Sequence, residues 1–590
     1  MFEPLLTILV VVIMLWLLVR NTFEPVVVFL GALVVLLTAG VISTKEALVG
    51  FSNEGMLTVA ILFVVAGAIQ KSPFLPGIAT RLFGNRAKGR RPLLKMMAPI
   101  TFLSAFLNNT PIVAIFIPII RNWSTQYNIS PSKFLIPLSY VSMFGGILTL
   151  IGTSTNLVVS GMLQEFGHEP MGMFEITKVG LPLALLGMAY LLFYGYKYLP
   201  DNQDLLASAK QNFKEYLVTF QVENGSRVVG KTIERAGLRN LKGLYLFEII
   251  RKKEKIYPVT PTEVLQEEDK LIFTGQIDTI VQLQAIDGLK LLSSAEDFSE
   301  LFKSGEANIV EAVVSTDFPF LNQSIKESNF RSHYNAAVVA VVRQGERINE
   351  KIGKIVLKPG DTLLLLAHQH FINQWDGSKD FYLVSQKENE DVLTPGKAKI
   401  AVGSFLMLIL LASTGILSTF HASLLALSVI MFTRTISVKE AFKSISWDTL
   451  LVIAFSFGIG NALINTGAAA LVAGGLIYGV APLGPIGVLL AVYFVTNVFT
   501  AIITNNAAAV LAFPIAYAAS VQLDLNPMPF AIAVAVAASS CFATPFGYQT
   551  NLMVYGPGGY TFKDFMKVGL PLNVLFMIAS VILIPIFFSF

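Results

Sequence analysis

The feature that most constrains this chain is a polar segment inside a long apolar region. Residues 543–552 are Ala-Thr-Pro-Phe-Gly-Tyr-Gln-Thr-Asn-Leu. Pro545 has no backbone N–H and Gly547 lowers helix stability, so we expect a membrane helix to break here. Backbone groups that a break leaves unpaired are tolerated at membrane depth only where protein buries them or water reaches them. The segment is therefore a candidate binding site, and a polar loop between two helices is the alternative interpretation.

The first half of the chain contains a similar segment, because Gly152–Asn156 corresponds to Gly547–Asn551. Three more pairs follow in the same order at nearly constant offset: Lys178–Leu183 with Lys567–Leu572, Ser43–Ala47 with Ser437–Ala441, and Asn108–Asn109–Thr110 with Thr504–Asn505–Asn506. Four pairs in one order indicate a duplicated membrane unit. Paired interruptions in two repeats are the best sequence indication of a transporter's binding site.

Composition and charge define the class of protein. The chain has 590 residues, of which 54% are hydrophobic and 14% charged, and its mean hydropathy is +0.64. Such values exclude an ordinary soluble protein and indicate a polytopic α-helical membrane protein in contact with the lipid bilayer. A net charge of +4 gives no indication of a nucleic-acid partner.

Basic residues orient the chain. We predict membrane repeats over residues 1–200 and 397–590, joined by a charged insert. The basic segment Lys71–Lys95 should be cytoplasmic by the positive-inside rule, which places both termini outside and the insert in the cytoplasm. No Lys or Arg occurs between Lys443 and Lys563. The two halves then have opposite orientations, as in the inverted repeats of alternating-access transporters.

Two apolar stretches contain polar interruptions. Pro99–Ile120 is split by Asn108–Asn109–Thr110, and Pro485–Ala519 by Thr504–Asn505–Asn506. Basic residues flank the first stretch on both sides, so we predict re-entrant hairpins with polar tips. A single span with a buried polar patch is the alternative.

The insert contains two copies of a small α/β pattern. In each copy an acidic or Pro-Gly-Asp turn leads into an apolar strand, at Glu267–Phe273 and at Lys358–Leu364. The pattern resembles the RCK-C (TrkA-C) module of cation channels and transporters. We predict one module over 201–296 and the other over 297–396. The resemblance implies regulation, with an unknown ligand, and a dimerisation platform without a ligand is the alternative.

The membrane region offers neutral polar groups as ligands. Glu54 and Asp448 stand at the ends of spans, so no buried carboxylate is available to carry a proton. Carbonyl, hydroxyl and amide oxygens suit a hard cation such as sodium. The N-termini of half-helices, with Thr and Asn donors, suit an anion. The alternative is that these side chains only satisfy broken backbone and bridge helices.

With these motifs in view, the chain resembles the divalent anion–sodium symporter family of the ion transporter superfamily. The most specific match is residues 544–560, Thr-Pro-Phe-Gly-Tyr-Gln-Thr-Asn-Leu-Met-Val-Tyr-Gly-Pro-Gly-Gly-Tyr, and within the family the sulfate-transporter branch with RCK-C modules is the most similar. The family's Ser-Asn-Thr tip motif appears in altered form at both hairpin tips. Its Thr-Pro-Pro-Asn element appears as Ser154–Thr155–Asn156 and Gln549–Thr550–Asn551.

The resemblance implies sodium-coupled symport of a small divalent oxyanion, with sulfate first and a dicarboxylate second. It also implies an elevator mechanism, a homodimer and a location in the cell (plasma or inner) membrane. We predict that the anion binds at Asn108, Asn109, Thr110, Thr504, Asn505, Asn506, Thr155, Asn156, Thr550 and Asn551. We predict that sodium binds at Asn109, Gly152, Thr153, Ser154, Asn156, Asn505, Thr544, Gly547 and Asn551.

Two other function classes make different demands on the sequence. An RCK-C-regulated cation channel should show a Thr-Val-Gly-Tyr-Gly filter, and a cation/proton antiporter should show an intramembrane carboxylate. The sequence has no such filter and no clear carboxylate of that kind. An enzyme with a membrane anchor lacks support, because no nucleophile elbow or phosphate-binding loop is found.

Overall fold

The chain is described by a computed structural model. It covers residues 2–590 except 21–22, 74–89, 128, 203–216, 239–243, 253, 257–258, 261, 276–287, 294–306, 344–345, 349, 351, 369, 376–377 and 384–392. The described residues form a helical unit (Met1–Asp201, Asn389–Val554 and Phe562–Phe590) and a second unit (Asn202–Glu388 and Tyr555–Thr561). Part of the predicted basic segment, with Arg81, Arg86 and Lys88, lies outside the described residues.

The helical unit is built from apolar helices. Its helices in the first half are Phe2–Arg20, Pro25–Thr38, Thr44–Leu48, Glu54–Gln70, Arg91–Ser104, Asn109–Gln126, Leu135–Gly146, Ser154–Glu165 and Thr177–Tyr190, the last continuing through a π-helical turn, Leu191–Gly195, to Tyr196–Tyr198. Those in the second half are Pro395–Ser413, Thr419–Phe432, Val438–Ser444, Trp447–Asn465, Ala468–Val480, Gly484–Ile502, Asn505–Gln522, Met528–Ser539, Gln549–Tyr555 and Phe562–Phe587.

Within the described ranges, seven helical stretches are long and apolar enough to cross a membrane. Several of them leave large apolar side chains exposed, among them Leu5, Trp16 and Leu410. A helix that is apolar all round and still exposed is stable only with lipid on its outer side. The predicted multi-pass helical fold is thus confirmed at this level.

Both predicted hairpins are pairs of helices interrupted at the polar residues. The first hairpin, Arg91–Ser104 with Asn109–Gln126, is interrupted at residues 105–108. The second hairpin, Gly484–Ile502 with Asn505–Gln522, is interrupted at residues 503–504. Each break leaves N–H groups at the start of the following helix without intrahelical acceptors. That both hairpins re-enter the same membrane surface stays a prediction.

The two predicted helix breaks are also present. The first break, residues 147–153, separates Leu135–Gly146 from Ser154–Glu165, and the second break, residues 540–548, separates Met528–Ser539 from Gln549–Tyr555. The sequence predicts that the first short helix starts at Leu157, but it starts three residues earlier. Polar side chains are common in the first turn because they stand beside N–H groups that have no intrahelical partner.

A pair of capping boxes marks the same place in each half. Ser43 with Glu46, and Ser437 with Glu440, satisfy the first N–H groups of their short helices reciprocally. Glu46 Oε1 accepts a hydrogen bond of 2.7 Å from Asn465, and Glu440 Oε1 accepts one from Lys71. Asn465 and Lys71 each lie 25 residues after the capping glutamate of their own half. Each half therefore contacts the equivalent position of the other.

The second unit contains two sheets with the same topology. The strands are β1 Leu217–Val222, β2 Leu244–Arg251, β3 Glu254–Ile256, β4 Lys270–Gly275, β5 Leu289–Ser293, β6 Ala307–Val314, β7 Ala336–Arg343, β8 Glu346–Arg347, β9 Thr362–His368 and β10 Phe381–Leu383. The sheet orders are β3-β2-β4-β1-β5 and β10-β6-β9-β7-β8. All pairings are antiparallel. If the strands of each sheet are numbered from one to five along the chain, both sheets have the order 3-2-4-1-5.

Each copy carries the same ion pair between a buried aspartate and a partly exposed arginine. Arg251 Nε donates to Asp269 at 2.9 Å, and Arg343 Nε donates to Asp361 at 2.7 Å. Both aspartates stand at the turn before the strand that pairs with the arginine's strand. The duplicated α/β pattern is therefore present as two sheets, whereas its assignment to RCK-C and the boundaries 201–296 and 297–396 stay predictions.

The second unit also includes the segment Tyr555–Thr561. Asn202 Nδ2 donates a hydrogen bond of 2.6 Å to Gly559 O. The backbone of Gly556 lies so close to Thr362 that an added Cβ would be 1.8 Å from Thr362 Oγ1. Glycine at 556 is therefore required by this close approach.

Candidate functional site

The tip of the first hairpin meets the second break. Asn109 Nδ2 donates to Tyr548 Oη at 2.5 Å, and Thr110 Oγ1 donates to Gln549 Oε1 at 2.9 Å. These residues are far apart in sequence, and the two bonds connect the halves of the helical unit directly.

The first break meets the tip of the second hairpin in the same way. Ser154 Oγ donates to Asn506 Oδ1 at 3.0 Å, and Thr155 Oγ1 lies 3.3 Å from the same oxygen. The side chains of Thr153 and Asn505 also lie close to the Tyr548 hydroxyl. The structure thus brings both predicted tips and both predicted breaks into one cluster, which we call the amide cluster.

A hydroxyl before each tip orients the tip asparagine. Ser104 Oγ donates to Asn109 Oδ1 at 2.5 Å, and Thr500 Oγ1 donates to Asn505 Oδ1 at 3.3 Å. Each hydroxyl residue precedes its asparagine by five positions. The first carboxamide has both its oxygen and its nitrogen bound within the protein, whereas Asn505 is held more loosely.

The break asparagines use their nitrogens to satisfy freed backbone carbonyls. Asn156 Nδ2 donates to Gly146 O at 3.0 Å and Thr149 O at 2.9 Å. Asn551 Nδ2 donates to Cys541 O at 2.8 Å and Thr544 O at 3.1 Å. This is the supporting role that the alternative interpretation assigned to them, and it accounts for an asparagine at each position.

The oxygens of these two asparagines differ. Asn551 Oδ1 accepts a hydrogen bond of 2.7 Å from Ser139, whose Oγ lies 2.8 Å from Thr550 Oγ1. Asn156 Oδ1 is buried and has no hydrogen-bond partner among the described residues. A buried carboxamide oxygen without a donor is unfavourable, and a bound cation would satisfy it.

Burial separates the cluster into a frame and a rim. Asn109 is 1% exposed, and Thr155, Asn156, Thr550 and Asn551 are fully buried. The partly exposed members form the rim, and they are Asn108, Thr110, Ser154, Asn505, Asn506, Thr544 and, more open still, Thr504 and Gln549. Thr153 is 7% exposed and belongs to the frame. A soluble ligand can reach the rim directly, whereas the frame lies behind it.

Glycine is required at both breaks because each backbone lies against a hairpin. A Cβ at Gly152 would lie 3.0 Å from Ala105 O, and a Cβ at Gly547 would lie 2.7 Å from Thr500 O. Side chains at these positions would push the break away from the hairpin tip.

The cluster is electrically neutral. All the side chains that form its hydrogen bonds are amides, hydroxyls or a phenol. Within the described residues, no group of three or more His, Cys, Asp or Glu could hold a metal ion. Such a site suits a hard monovalent cation through oxygens and an anion through N–H and O–H donors.

Four contributors were not identified from the sequence: Ser104, Ser139, Thr500 and Tyr548. Three of them, Ser104, Ser139 and Thr500, are hydroxyl residues in largely apolar helices that lead to a tip or a break. A hydroxyl in such a helix commonly bonds across to another helix, so this signal was available. Tyr548 lies inside the quoted motif, but nothing in its sequence neighbours predicts that it bonds to Asn109 and lies close to Asn505.

Comparison with known proteins adds the family. Residues 9–537 match the family model described as citrate transporter. The chain is 34% identical to "Putative sulfur deprivation response regulator" of Chlamydomonas reinhardtii, over 96% of this chain and 98% of that protein. It is 31% identical to an uncharacterized transporter of Synechocystis, over 94% and 92%. It is also 25% identical to "Sodium/sulfate cotransporter 1" of Chlamydomonas reinhardtii, over 95% and 86%.

Proposed function

Because the chain belongs to the citrate transporter family, with relatives of the divalent anion–sodium symporter type, we propose that it is a sodium-coupled symporter of a small divalent oxyanion. Sulfate is the first candidate substrate, in line with the relative named as a sodium/sulfate cotransporter. The observation that carries the proposal is the amide cluster. It joins both hairpin tips to both breaks, and it offers oxygens and N–H or O–H donors without a net charge.

We assign the cation to the frame. Asn156 Oδ1, which has no donor among the described residues, is the first ligand, and the carbonyl oxygens exposed by the break supply further ones. In the second half, Asn551 of the frame would serve in the same way, together with Asn505 of the adjoining rim. Asn551 must exchange its hydrogen bond from Ser139 for the cation.

We assign the anion to the rim. Thr110 is paired with Gln549 and Ser154 with Asn506, so each hydrogen-bonded pair joins a residue of the first half to one of the second. Opening the two pairs frees hydroxyl and amide donors toward a single oxyanion. A dianion without Lys or Arg needs positive charge close by, and bound sodium would supply it.

Sodium rather than a proton is expected to drive transport. The cluster's hydrogen bonds involve no carboxylate, and Glu54 begins its helix rather than lying within it. Asp448 lies in the first turn of its own helix. Neither carboxylate is placed to bind a proton beside the anion.

The recurrence of contacts supports inverted repeats, and an elevator-type movement in a homodimer is proposed with them because the family resemblance implies both. Equivalent bonds hold the two tip asparagines, the two break asparagines and the two capping glutamates. A duplicated unit of this kind allows one half-site to exchange roles with the other across the membrane.

The inserted unit is proposed to regulate transport. The segment Tyr555–Thr561 belongs to the second unit, and it joins the short helix Gln549–Tyr555 to the helix Phe562–Phe587 in sequence. A ligand that shifts this segment would act on the cluster through covalent continuity. Gly556→Ala should change the transport rate and leave sulfate binding in place, and complete loss of binding in folded protein would argue against separable regulation.

A carboxylate is the second candidate substrate. The matched family model describes citrate transporters, and the rim donors would bind a carboxylate as readily as a sulfate oxygen. The neutral cluster itself does not discriminate between the two classes.

Uptake into proteoliposomes tests the proposal. Labelled sulfate, succinate and citrate are offered under an inward sodium gradient and, separately, under a proton gradient without sodium. We expect sulfate uptake that requires sodium and survives collapse of the pH gradient. Uptake that follows the proton gradient alone would overturn the coupling.

Two tyrosine-to-phenylalanine variants, one in the amide cluster and one outside it, provide a matched control. Tyr548→Phe removes the hydroxyl that links Asn109 to the second break, so uptake should fall by roughly tenfold or more, at about 1.4 kcal/mol per tenfold. Tyr478→Phe makes the same change at a side chain that is 87% exposed, and uptake should be unchanged.

A further inference from the structure

A cavity lies beside the second capping box, away from the amide cluster. Its volume is about 640 Å³. Its polar lining includes Lys397, Arg434 and Ser437, and its apolar lining includes Leu393, Met431 and Val438. All of these residues belong to the helical unit.

The cavity is positively charged. Lys397 and Arg434 are exposed and form no ion pair with any residue that the structure describes. The carboxylate in the lining, Glu440, is already engaged, because its hydrogen bond from Lys71 lowers its pKa to about 2. Two cations therefore face the cavity without a carboxylate partner among the residues that the structure describes.

Arg434 occupies a backbone position that favours glycine. Its φ is 51°, in the left-handed region. The equivalent residue of the first half, three positions before the capping serine, is Gly40 with φ 72°. An arginine at such a position is disfavoured by its own backbone, which indicates that the side chain has a role.

Exposed aromatic residues lie close in sequence to the residues that line the cavity. Phe432 is 89% exposed, and Phe442 and Trp447 stack with ring centroids 5.9 Å apart, both about half exposed. Exposed aromatic rings next to basic side chains are typical of the membrane–water interface. A ligand here would contact lipid tails on one side and the two cations on the other.

We propose that this cavity binds the phosphate of an anionic phospholipid headgroup. Lys397 and Arg434 contact the phosphate oxygens, Ser437 stands beside them, and the acyl chains follow the exposed faces of Phe432 and Val438. Basic pockets between membrane helices bind anionic headgroups in this manner. Free phosphate has the same charge but would gain no binding energy from the apolar residues of the cavity.

Purified full-length protein tests the proposal by native mass spectrometry and thermal shift. The probes are phosphatidylglycerol, phosphatidylcholine and inorganic phosphate. We expect retention of phosphatidylglycerol over phosphatidylcholine, with a rise in midpoint temperature, and no rise with millimolar phosphate. Equal retention of both lipids, or an equal shift with inorganic phosphate, would overturn the assignment to an anionic lipid.

Matched double variants isolate the cavity. K397Q/R434Q should weaken phosphatidylglycerol binding by roughly ten- to thirtyfold, since each basic residue near the surface contributes roughly three- to fivefold. K399Q/K443Q removes the same charge from the neighbouring exposed residues Lys399 and Lys443, which do not line the cavity, and should leave binding within twofold. Equal losses in the two variants would contradict a specific site.

Two more variants separate the Arg434 side chain from backbone strain and from competing carboxylates. Arg434→Gly relieves the backbone, so it should fold at least as well as the parent and still lose lipid binding. Retained binding would contradict the role of Arg434. Glu388, Glu390 and Asp391, which lie outside the described residues, precede the cavity residue Leu393 in sequence. E388Q/E390Q/D391N should bind lipid like the parent, and binding more than tenfold tighter would show that these carboxylates occupy the cavity instead.

Discussion

The two halves of the helical unit hold their break asparagines by the same nitrogen bonds but complete the oxygens differently. Asn156 and Asn551 each donate to two carbonyls of their own break. Ser139 donates to Asn551 Oδ1, whereas Asn156 Oδ1 has no donor in the described part of the chain. The two asparagine nitrogens are therefore bonded in equivalent ways, whereas only the oxygen of Asn156 is left without a donor for a ligand to satisfy.

The source of the difference is one side chain. Ser139 precedes Asn156 by 17 residues, and Val534 precedes Asn551 by 17 residues. The helix with Val534 packs against the short helix of Asn156, but valine has no donor to offer. The comparison suggests that the half-site at Asn156 binds the first sodium ion, and that the half-site at Asn551 binds the second less tightly.

The largest effect is expected where the two breaks approach the hairpins. Gly547→Ala places a Cβ 2.3 Å from Cys541 Sγ and 2.7 Å from Thr500 O, whereas the Cβ of Gly152→Ala lies 2.7 Å from the nearest atom, Gly146 O. We expect Gly547→Ala to abolish uptake and destabilise the protein by about 1–3 kcal/mol, and Gly152→Ala to do so less severely. Thermal unfolding and uptake measure both.

The helical Gly475 is the control for these two substitutions, because nothing lies within 4 Å of its added Cβ. Gly475→Ala should keep parental uptake and leave stability unchanged or slightly improved. If Gly547→Ala behaves like Gly475→Ala, the close approach of break and hairpin is not needed for transport.

A smaller effect should follow from exchanging the residues that make the halves differ. Ser139→Val leaves Asn551 Oδ1 buried without a donor, at a cost of about 1–3 kcal/mol in sodium-free buffer. Sodium can then recover part of this cost, so the rise in midpoint temperature on adding sodium should exceed that of the parent. Val534→Ser should do the opposite, because a hydroxyl near Asn156 Oδ1 competes with the ion.

The thermal shift between sodium and choline buffers measures this exchange. Identical sodium shifts in the parent and in both variants would show that the carboxamide oxygens of the two breaks do not bind sodium, and the inferred difference between the half-sites would be lost.

The smallest effect is expected at the two capping boxes. Lys71→Gln gives Glu440 a neutral partner, as Asn465 is for Glu46, and should cost at most about 1 kcal/mol because the pair is partly exposed. The folded-state pKa of Glu440 is lowered to about 2 from its ordinary value of 4.5. The stability that this pair adds is therefore present above pH 4.5 and is lost as pH falls toward 2.

Midpoint temperatures of the parent and Lys71→Gln should thus differ slightly at about pH 7 and converge below about pH 4. A difference that grows on acidification would contradict the ion pair as its cause.

Much of the helical unit could be predicted from the sequence, because broken membrane helices require polar residues, proline and glycine at defined places. The hairpin breaks at Asn109 and Asn505 and the two helix breaks follow from these local signals. The duplicated sheets follow from a different one, the turn that leads into an apolar strand in each copy. The short helix that starts at Ser154 was predicted to start three residues later, because polar residues in the first turn of a helix have the same composition as a loop.

The partners across the cluster could not be predicted. The bonds from Asn109 to Tyr548 and from Ser154 to Asn506 connect residues more than 350 positions apart. Sequence pattern places polar residues at depth, but it contains no information on which of them face each other. The difference between Ser139 and Val534 became visible only once the helices were packed.

The central claim is that both halves contribute an asparagine to one shared site for the anion and for sodium. Calorimetric titration of purified parent, Asn109→Asp and Asn505→Asp with sulfate and, separately, with sodium tests it most directly. Aspartate adds a charge that attracts sodium and repels the anion, so sulfate affinity should fall by roughly tenfold or more in each variant while sodium affinity is kept. The loss should be larger for Asn109, which is more buried and more tightly bonded. If both variants bind sulfate like the parent, the hairpin tips are structural and the anion site lies elsewhere.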